Sequence, residues 1–566
     1  MTRPAGLPTL QGLRLRENQL FFLLTVLVGV LAGLSAVLFT LAIDWTSRGL
    51  FGLDPTPVRL FLVPTLASLL AGVLLHTVFP DVRGSGVPQT KAAFVQQGGV
   101  IPFRVPVGKF LMGALCVGSG HSMGREGPSV QIGAGVASAI GQWMGLPAQR
   151  VRDLVPVGAA GALAAAFNTP VSAVIFALEE IIGDLNAPLI GSTVVASVAS
   201  VMVERTILGN EPLFRVPTYH LQHPAELGAY AVLGVAGGLI SLVFCRSLLR
   251  IRRATQGLPV RGRILLPAAG GAVIGLVIIA VPEVMGVGYE SIDQALNGGL
   301  VLQTLLLLGV VKIVATLVSY TSGNAGGIFA PSLYIGAMAG GAVGTVMHWA
   351  APFPTADPGA YALVGMGTLF AGIIRAPLTS VFMIFELTQD YQILVPLMVA
   401  NMLSYLISRR FQPVPIYHAL LAQDGVHLPS ALPVLDDWTA GDAMAAPAAV
   451  VGRDQRLAEV AAPEAAPAAG LVLVTGEGGA VAFAAMADVQ AAIAQGRGEE
   501  PVGAVSVAAP DGIWVDAGSD DVLRRLAGVT GPVPVLDDGP DGPRPVGTVA
   551  TDDVVRLLAA RRAPLA

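Results

Sequence analysis

The sequence predicts a polytopic α-helical membrane protein built from two related halves with tilted and broken helices, followed by a small α/β domain. Three observations carry this expectation. Apolar residues make up 53% of the 566-residue chain and mean hydropathy is +0.69, a membrane composition. The motif PSxxIGA occurs twice, as Pro128–Ala134 and Pro331–Ala337, 203 residues apart, each copy opening an uncharged helix-like run after a glycine-rich break. A second pair nearly keeps that spacing. Pro170 and Pro377 lie 207 residues apart, each followed nine residues later by an acid, Glu179 or Glu386, and Gly158 and Gly365 share the offset. Gly/Pro-broken segments at matching places in two membrane halves mark a repeat-built transporter with its site near the midplane.

Taken in order, residues 1–17 form a short basic N-terminus. Asn18–Ile43 is uncharged for 26 residues, too long for a signal-peptide core, and reads as the first membrane helix. A hydrocarbon core about 30 Å thick asks for roughly 20 apolar residues per span. Leu60–Pro80, Leu185–Val203, Leu227–Cys245, Ile264–Pro282 and Tyr391–Ser408 meet that requirement. Leu154–Leu178 is interrupted by Asn168-Thr169-Pro170, and Ile313–Ala356 by SYTSGNAGG. Such breaks free backbone groups that only protein or an aqueous cavity can satisfy. Half-length helices around an internal site are therefore expected.

The charge pattern divides the chain. From Asp436 onward there are 19 acids, 9 Arg and no Lys, so this tail is about −10 while the preceding part is about +5. Arg246, Arg250, Arg252, Arg253, Arg261 and Arg263 crowd one connection without an acid, a cytoplasmic mark. Arg14, Arg16, Arg409 and Arg410 agree, which predicts that both termini are cytoplasmic. The expected organisation is a membrane domain over 18–421, a linker over 422–435 and a cytoplasmic domain over 436–566. Two cysteines, Cys116 and Cys245, exclude a disulfide framework or a Cys-rich metal site. In the tail, β-β-α appears twice. Its elements are Leu471–Thr475, Ala480–Ala484 and a helix from Met486, then Pro532–Leu536, Val546–Ala550 and Asp552–Ala560, with further helices near Ala440–Met444 and Asp520–Gly528.

Three glycine breaks carry the chemistry. In Gly118–Gly135, GSGHSMGREGPSVQIGAG, glycines free the backbone to turn its N–H groups outward and Pro128 suits a first helical turn. A helix start presents unpaired donors and about half a positive charge, an anion site that needs no cationic side chain. GGIFAPSLYIGA (Gly326–Ala337) supplies a second such terminus, and GSGVP (Gly84–Pro88) adds the Ser85 hydroxyl. Glu126 is followed by 23 uncharged residues before Arg150. A carboxylate there is costly unless it has a task. It can occupy the anion site itself and vacate it on protonation; burial opposes its charge and the helix end favours it. The plainer reading is a capping Glu paired with Arg125. Glu179-Glu180 reads equally as a membrane exit or as a cytoplasmic proton station. His121, alone in a glycine loop, reads better as a hydrogen-bonded bystander than as a proton carrier.

GSGVP, GREGP and GGIFAP in this order, with VPIYHALL (Val414–Leu421) after the last apolar run, resemble the CLC family of chloride channels and proton-coupled transporters over roughly Asn18–Leu421. The resemblance implies a homodimer whose subunits each hold a pore formed by antiparallel halves. It implies that Ser85 and the Tyr417 hydroxyl bind the central anion with the backbone N–H groups of Ile328 and Phe329, and that Gly127, beside them in GREGP, belongs to the anion site. Glu126 corresponds to the external gating glutamate and Glu180 to the internal proton glutamate of antiporters. Proton/chloride exchange is thus expected, with a passive voltage- or pH-gated chloride channel as the alternative. Serine in GSGVP favours chloride over nitrate, and GREGP with Tyr417 speaks against the fluoride-exporting branch. His121 and Gln89 depart from the family pattern, at an apolar and an acidic position respectively.

The tail resembles a pair of CBS repeats, about Asp436–Gln490 and Val502–Ala560. Where such repeats place a Ser/Thr three residues before an Asp, this chain has Ala485 before Asp488 and Ala550 before Asp553, which argues against nucleotide binding and leaves a packing or dimer-contact role. Beyond chloride and protons as substrates, no cofactor, metal or nucleic-acid partner is expected, and the location expected is a bacterial inner membrane. An enzyme using Glu126 and the EE pair finds no support: HExxH, G-x-S-x-G and a Cys/His pair are all missing. A nucleotide-sensing receptor is disfavoured by the two alanines.

Overall fold

The computed structural model describes residues 17–562 apart from 186–187, 211–212, 215, 218, 389–390, 427, 429–437, 461–469, 477–480, 510, 528, 530 and 540–541. Arg14, Arg16, most of the 422–435 linker, Asp436, Ala480 and Gly528 lie outside the described residues. The chain divides into two compact units, Met1–Leu428 and Pro429–Ala566.

The first unit runs through the same series of helices twice. α1 (Glu17–Phe51), α2 (Pro57–Thr77), α3 (Val87–Gln96), α4 (Arg104–Gly118), α5 (Glu126–Trp143), α6 (Ala148–Phe167), α7 (Pro170–Phe176) and α8 (Ile190–Leu208) form the first series. The second is α9 (Glu226–Gln256), α10 (Val260–Ala280), α11 (Tyr289–Leu296), α12 (Leu302–Thr321), α13 (Phe329–Ala350), α14 (Pro358–Ile374), α15 (Pro377–Thr388) and α16 (Leu394–Phe411), after which α17 (Ile416–Gln423) closes the unit. A 3₁₀ turn precedes both α3 and α11, at Pro80–Val82 and Pro282–Val284. Among the described residues, seven helices are long and apolar enough to cross a membrane.

The expected breaks occur, with identifiable causes. Leu154–Leu178 splits where Asn168 takes a left-handed conformation (φ 57°) and Pro170 starts α7. Its repeat counterpart is Arg375 (φ 72°) ahead of Pro377; no other non-glycine among the described residues has positive φ. Asn tolerates that region well, whereas Arg does so less readily. The Arg375 guanidinium donates to Ser408 O (2.8 Å), Pro413 O (3.2 Å) and Gln412 O, which ties the strained turn to the end of α16. The PSxxIGA glycines set the packing of the next helix. Gly133 faces the backbone of Gly158, and Gly336 that of Gly365, so closely that a Cβ at any of the four would collide. Those contacts account for the shared offset of Gly158 and Gly365.

The second unit holds two small cores. Strands β1 (Ala449–Gly452), β2 (Leu471–Thr475), β3 (Val481–Ala485) and β4 (Val507–Ala508) form one sheet; β5 (Ile513–Trp514), β6 (Val533–Gly539) and β7 (Gly542–Val549) form the other. In each sheet a parallel pair, β1–β2 or β5–β6, is followed by an antiparallel one, β2–β3 or β6–β7. Each antiparallel pair leads into a helix, Met486–Ala494 or Thr551–Arg562. The β-β-α repetition expected from sequence is therefore present, with three short extra strands. The opening helix Ala440–Ala443 packs with Trp438, Val533, Val535 and Val549 in the second core, not the first.

Candidate functional site

Backbone hydrogen bonds join the three glycine breaks. Gly124 and Gly327 exchange N–H···O bonds of 2.8 Å in both directions, and the Gly326 N–H donates to Gly84 O (3.2 Å). Ser85, Glu126 and Phe329 therefore belong to one centre although up to 244 residues separate them in sequence. Gly127 makes the approach feasible, since a Cβ there would lie 2.6 Å from Ser85 Oγ. The helices α3, α5 and α13 all start at this point, and the first N–H groups of each lack a partner within the helix. The Phe329 ring packs against Phe167 (5.2 Å between ring centroids), Phe176 (5.6 Å) and Phe370 (4.4 Å), which anchors the start of α13.

The side chains at this centre are unusual for a protein interior. Ser85 Oγ, Tyr417 Oη, Glu126 Oε2 and Gln131 Oε1 are all buried without a hydrogen-bond partner. More than nine in ten buried polar groups are paired, and each exception costs about 1–3 kcal/mol. Of these four, the Ser85 and Tyr417 hydroxyls can donate to an anion, whereas the Glu126 and Gln131 oxygens are acceptors. Below Gly84, a cavity of about 380 Å³ is lined by Arg83, Arg252, Arg263, Gln89, Tyr320 and Asp424. Arg252 is paired with Asp424 at 2.6 Å, and Arg83 and Arg263 add positive charge beside the Ser85 loop.

Glu126, the first residue of α5, is fully buried, and its Oε1 accepts a 2.6 Å hydrogen bond from the Tyr289 hydroxyl. The Arg125 guanidinium lies over the Tyr289 ring, 5.4 Å from the centroid, and faces Glu126 as well. The two acids of the EE pair separate completely. Glu179 accepts from the backbone N–H groups of Leu378 (3.2 Å) and Thr379 (2.8 Å) and from the Thr379 hydroxyl (2.7 Å), at the start of α15. Glu180, 5% exposed on a π-helical turn (Ala177–Ile182), pairs with Lys91 at 3.0 Å. Such single π turns are rare within α-helices and frequently occur at functional sites.

Sequence reasoning missed Tyr289 and the lysines. Only three lysines occur in the chain, Lys91, Lys109 and Lys312, and all three are buried. Their rarity among 33 cationic residues was the available signal. Lys109 donates to Val82 O (2.8 Å) and Gly84 O (2.6 Å), which braces the loop that carries Ser85. His121 is fully buried, with Ser68 on Nε2 and Ser319 on Nδ1 (3.2 Å).

A repeat-built membrane protein whose broken helices meet at a polar centre belongs to the class of ion-transport scaffolds. Comparison narrows the class. The family model described as voltage gated chloride channel matches residues 67–409. The H(+)/Cl(-) exchange transporter ClcA of Vibrio cholerae is 33% identical over 416 residues, covering 70% of this chain and 88% of its own length. The chloride channel protein CLC-e of Arabidopsis thaliana is 33% identical over 411 residues, 66% of this chain and 57% of its own. A slow cyanobacterial Cl-/H+ antiporter superposes with a TM-score of 0.64 at 26% identity, over 71% of this chain and 97% of that one. A eukaryotic CLC transporter aligns over 94% of this chain and 97% of its own, with a TM-score of 0.62, a likeness of fold at 20% identity. The chain belongs to the CLC family of voltage gated chloride channels and is an integral membrane protein.

Proposed function

We propose that this protein is a secondary-active antiporter that exchanges chloride for protons. The observation that carries the reading is the meeting of Ser85 Oγ, Tyr417 Oη and Glu126 Oε2, all buried and unpartnered, at the termini of α3, α5 and α13. Chloride, an acceptor without donors, fits two hydroxyls and the Ile328 and Phe329 amides, with Gly127 leaving it room. Glu126, the external gate, competes for the same donors as a carboxylate and gives them up when protonated. Glu180 receives protons from the cytoplasmic side, and the names of the exchangers among the relatives support exchange as the activity. The protein is then a transporter rather than an enzyme, and chloride and protons are its substrates.

The six arginines between α9 and α10 argue for a cytoplasmic connection there, hence for cytoplasmic termini in a bacterial inner membrane. The functional unit is a homodimer with one pore per subunit, its membrane domain taken as 18–421 and its CBS-like pair as 436–566. The pair serves packing rather than nucleotide sensing. Ala485 and Ala550 offer no hydroxyl, and Asp553 accepts a 2.8 Å hydrogen bond from the Ala550 N–H, capping its own helix.

One observation favours the passive channel instead. Glu180 already holds a cation, Lys91, which opposes its service as a proton carrier. Glu180→Gln in liposomes separates the two readings. Loss of proton movement with continued chloride flux supports exchange. A wild-type protein that moves chloride and no protons supports the channel.

A further inference from the structure

The loop between α10 and α11 ends on the gate. Lys312, fully buried on α12, donates to three of its carbonyls, Val284 O (3.0 Å), Gly286 O (2.8 Å) and Val287 O (3.2 Å). Lys109 stands 203 residues earlier, the PSxxIGA offset, and grips the corresponding loop before Ser85. One device, used in both repeats, therefore holds two different side chains at the centre. In the first repeat that side chain is Ser85. In the second, Gly286 (φ 56°) and Gly288 (φ 82°) turn the loop so that Tyr289 starts α11 facing Glu126. The Tyr289 ring is clamped edge-on by Phe214, 5.5 Å away, and covered by Arg125. Its hydroxyl donates to Glu126 Oε1 at 2.6 Å.

We propose that Tyr289 is a latch on the external gate, holding the Glu126 carboxylate in its seat between the α5 and α13 termini, and that Lys312 positions the latch. The inference rests on the reading of Glu126 as the gate. A phenol donating to a carboxylate makes a charge-assisted bond, roughly twice as strong as a neutral one. A proton arriving on the Glu126 carboxyl removes that assistance, so the latch loosens at the step that frees the anion site. The titratable and charged groups facing Glu126 are Arg125 beside it, Tyr289 from α11 and Tyr417 from α17. Tyr289 is the one that donates to it by a hydroxyl within hydrogen-bonding distance.

The test compares chloride efflux and proton uptake against pH in liposomes holding wild type, Tyr289→Phe, Glu126→Gln or both changes. Tyr289→Phe keeps the ring that Phe214 and Arg125 hold and removes one oxygen. Proton-coupled flux in that variant should run several-fold faster at neutral pH, with its pH profile moved upward by about one unit, because a bond to the ionised gate is gone. In the Glu126→Gln background, Tyr289→Phe should change nothing. A Tyr289→Phe protein with wild-type rate and profile, beside an uncoupled Glu126→Gln protein, overturns the latch and leaves the gate standing. Equal effects of Tyr289→Phe in both backgrounds also overturn it, since Tyr289 would then act on the fold. Coupled, pH-dependent exchange persisting in Glu126→Gln removes the gate reading itself.

Discussion

Glu179 and Glu386 each cap a helix of the opposite repeat. Glu179, after α7, accepts the Leu378 and Thr379 N–H groups at the start of α15, while Glu386, on α15, accepts those of Val171 (2.8 Å) and Ser172 (2.7 Å) at the start of α7. The helices are thus antiparallel and locked at both ends by acids 207 residues apart. Each carboxylate sits on the positive end of a helix dipole. Glu179 is committed to this lock, and Glu180 to Lys91 at 3.0 Å.

That division is testable by stability against coupling. Glu179→Ala and Glu386→Ala should each lower stability by about 1–2 kcal/mol, the usual cost of losing a cap, read as a fall in the thermal midpoint in detergent. The proton-to-chloride ratio of Glu179→Ala should match wild type. Loss of proton movement in Glu179→Ala, with retention in Glu180→Gln, would reverse the two assignments.

Lys91 and Glu180 form a buried pair, so removing one partner strands the other. Lys91→Met is expected to cost about 3–5 kcal/mol. Adding Glu180→Gln should recover most of that loss, because the stranded charge is gone. Unfolding midpoints of both single variants and the double variant measure the coupling; additive losses would mean that the two side chains do not stabilise one another.

Ser85→Ala and Tyr417→Phe each remove one of the two buried hydroxyls at the helix termini. Each should weaken chloride binding about 5–10-fold, the worth of one hydrogen bond of about 1 kcal/mol, in a calorimetric titration. Stability without chloride should hold or rise, because each buried hydroxyl carries a desolvation cost. An unchanged Kd in both variants would take the anion away from these hydroxyls.

Lys109 and Lys312 brace different loops and should separate by function. Lys109→Met orphans the Val82 carbonyl, leaves Gly84 O with only the Gly326 N–H and loosens the Ser85 loop, so both chloride affinity and stability should fall. Lys312→Met should cost comparable stability, on the order of 2–4 kcal/mol for its orphaned carbonyls, while chloride affinity holds. Calorimetry and thermal melts on the two proteins read both effects; equal losses of affinity would contradict the division.

Much of the architecture is legible in the chain because its cause is local. Asn168-Thr169-Pro170 breaks a helix wherever it occurs, and the glycines of GREGP and GGIFAP expose N–H groups by their own backbone freedom. Glu126 is conspicuous because no charge follows it for 23 residues. What stayed hidden depends on partners far away. Tyr289 meets Glu126 across 163 residues, and Lys91 meets Glu180 across 89. Glu179 and Glu386 stood out as a repeated pair, but their exchange of helix ends required knowing that α7 and α15 run antiparallel. In the tail, β4 and β5 are two residues long and carry no periodicity to read, and the Ala440–Ala443 helix joins a core formed mainly by residues after Ile513.

Proton and chloride fluxes recorded together from liposomes under a chloride gradient test the central claim most directly. The account predicts proton uptake driven by chloride efflux, abolished by Glu180→Gln while chloride continues to move. Chloride efflux with no accompanying proton movement in the wild-type protein would contradict it.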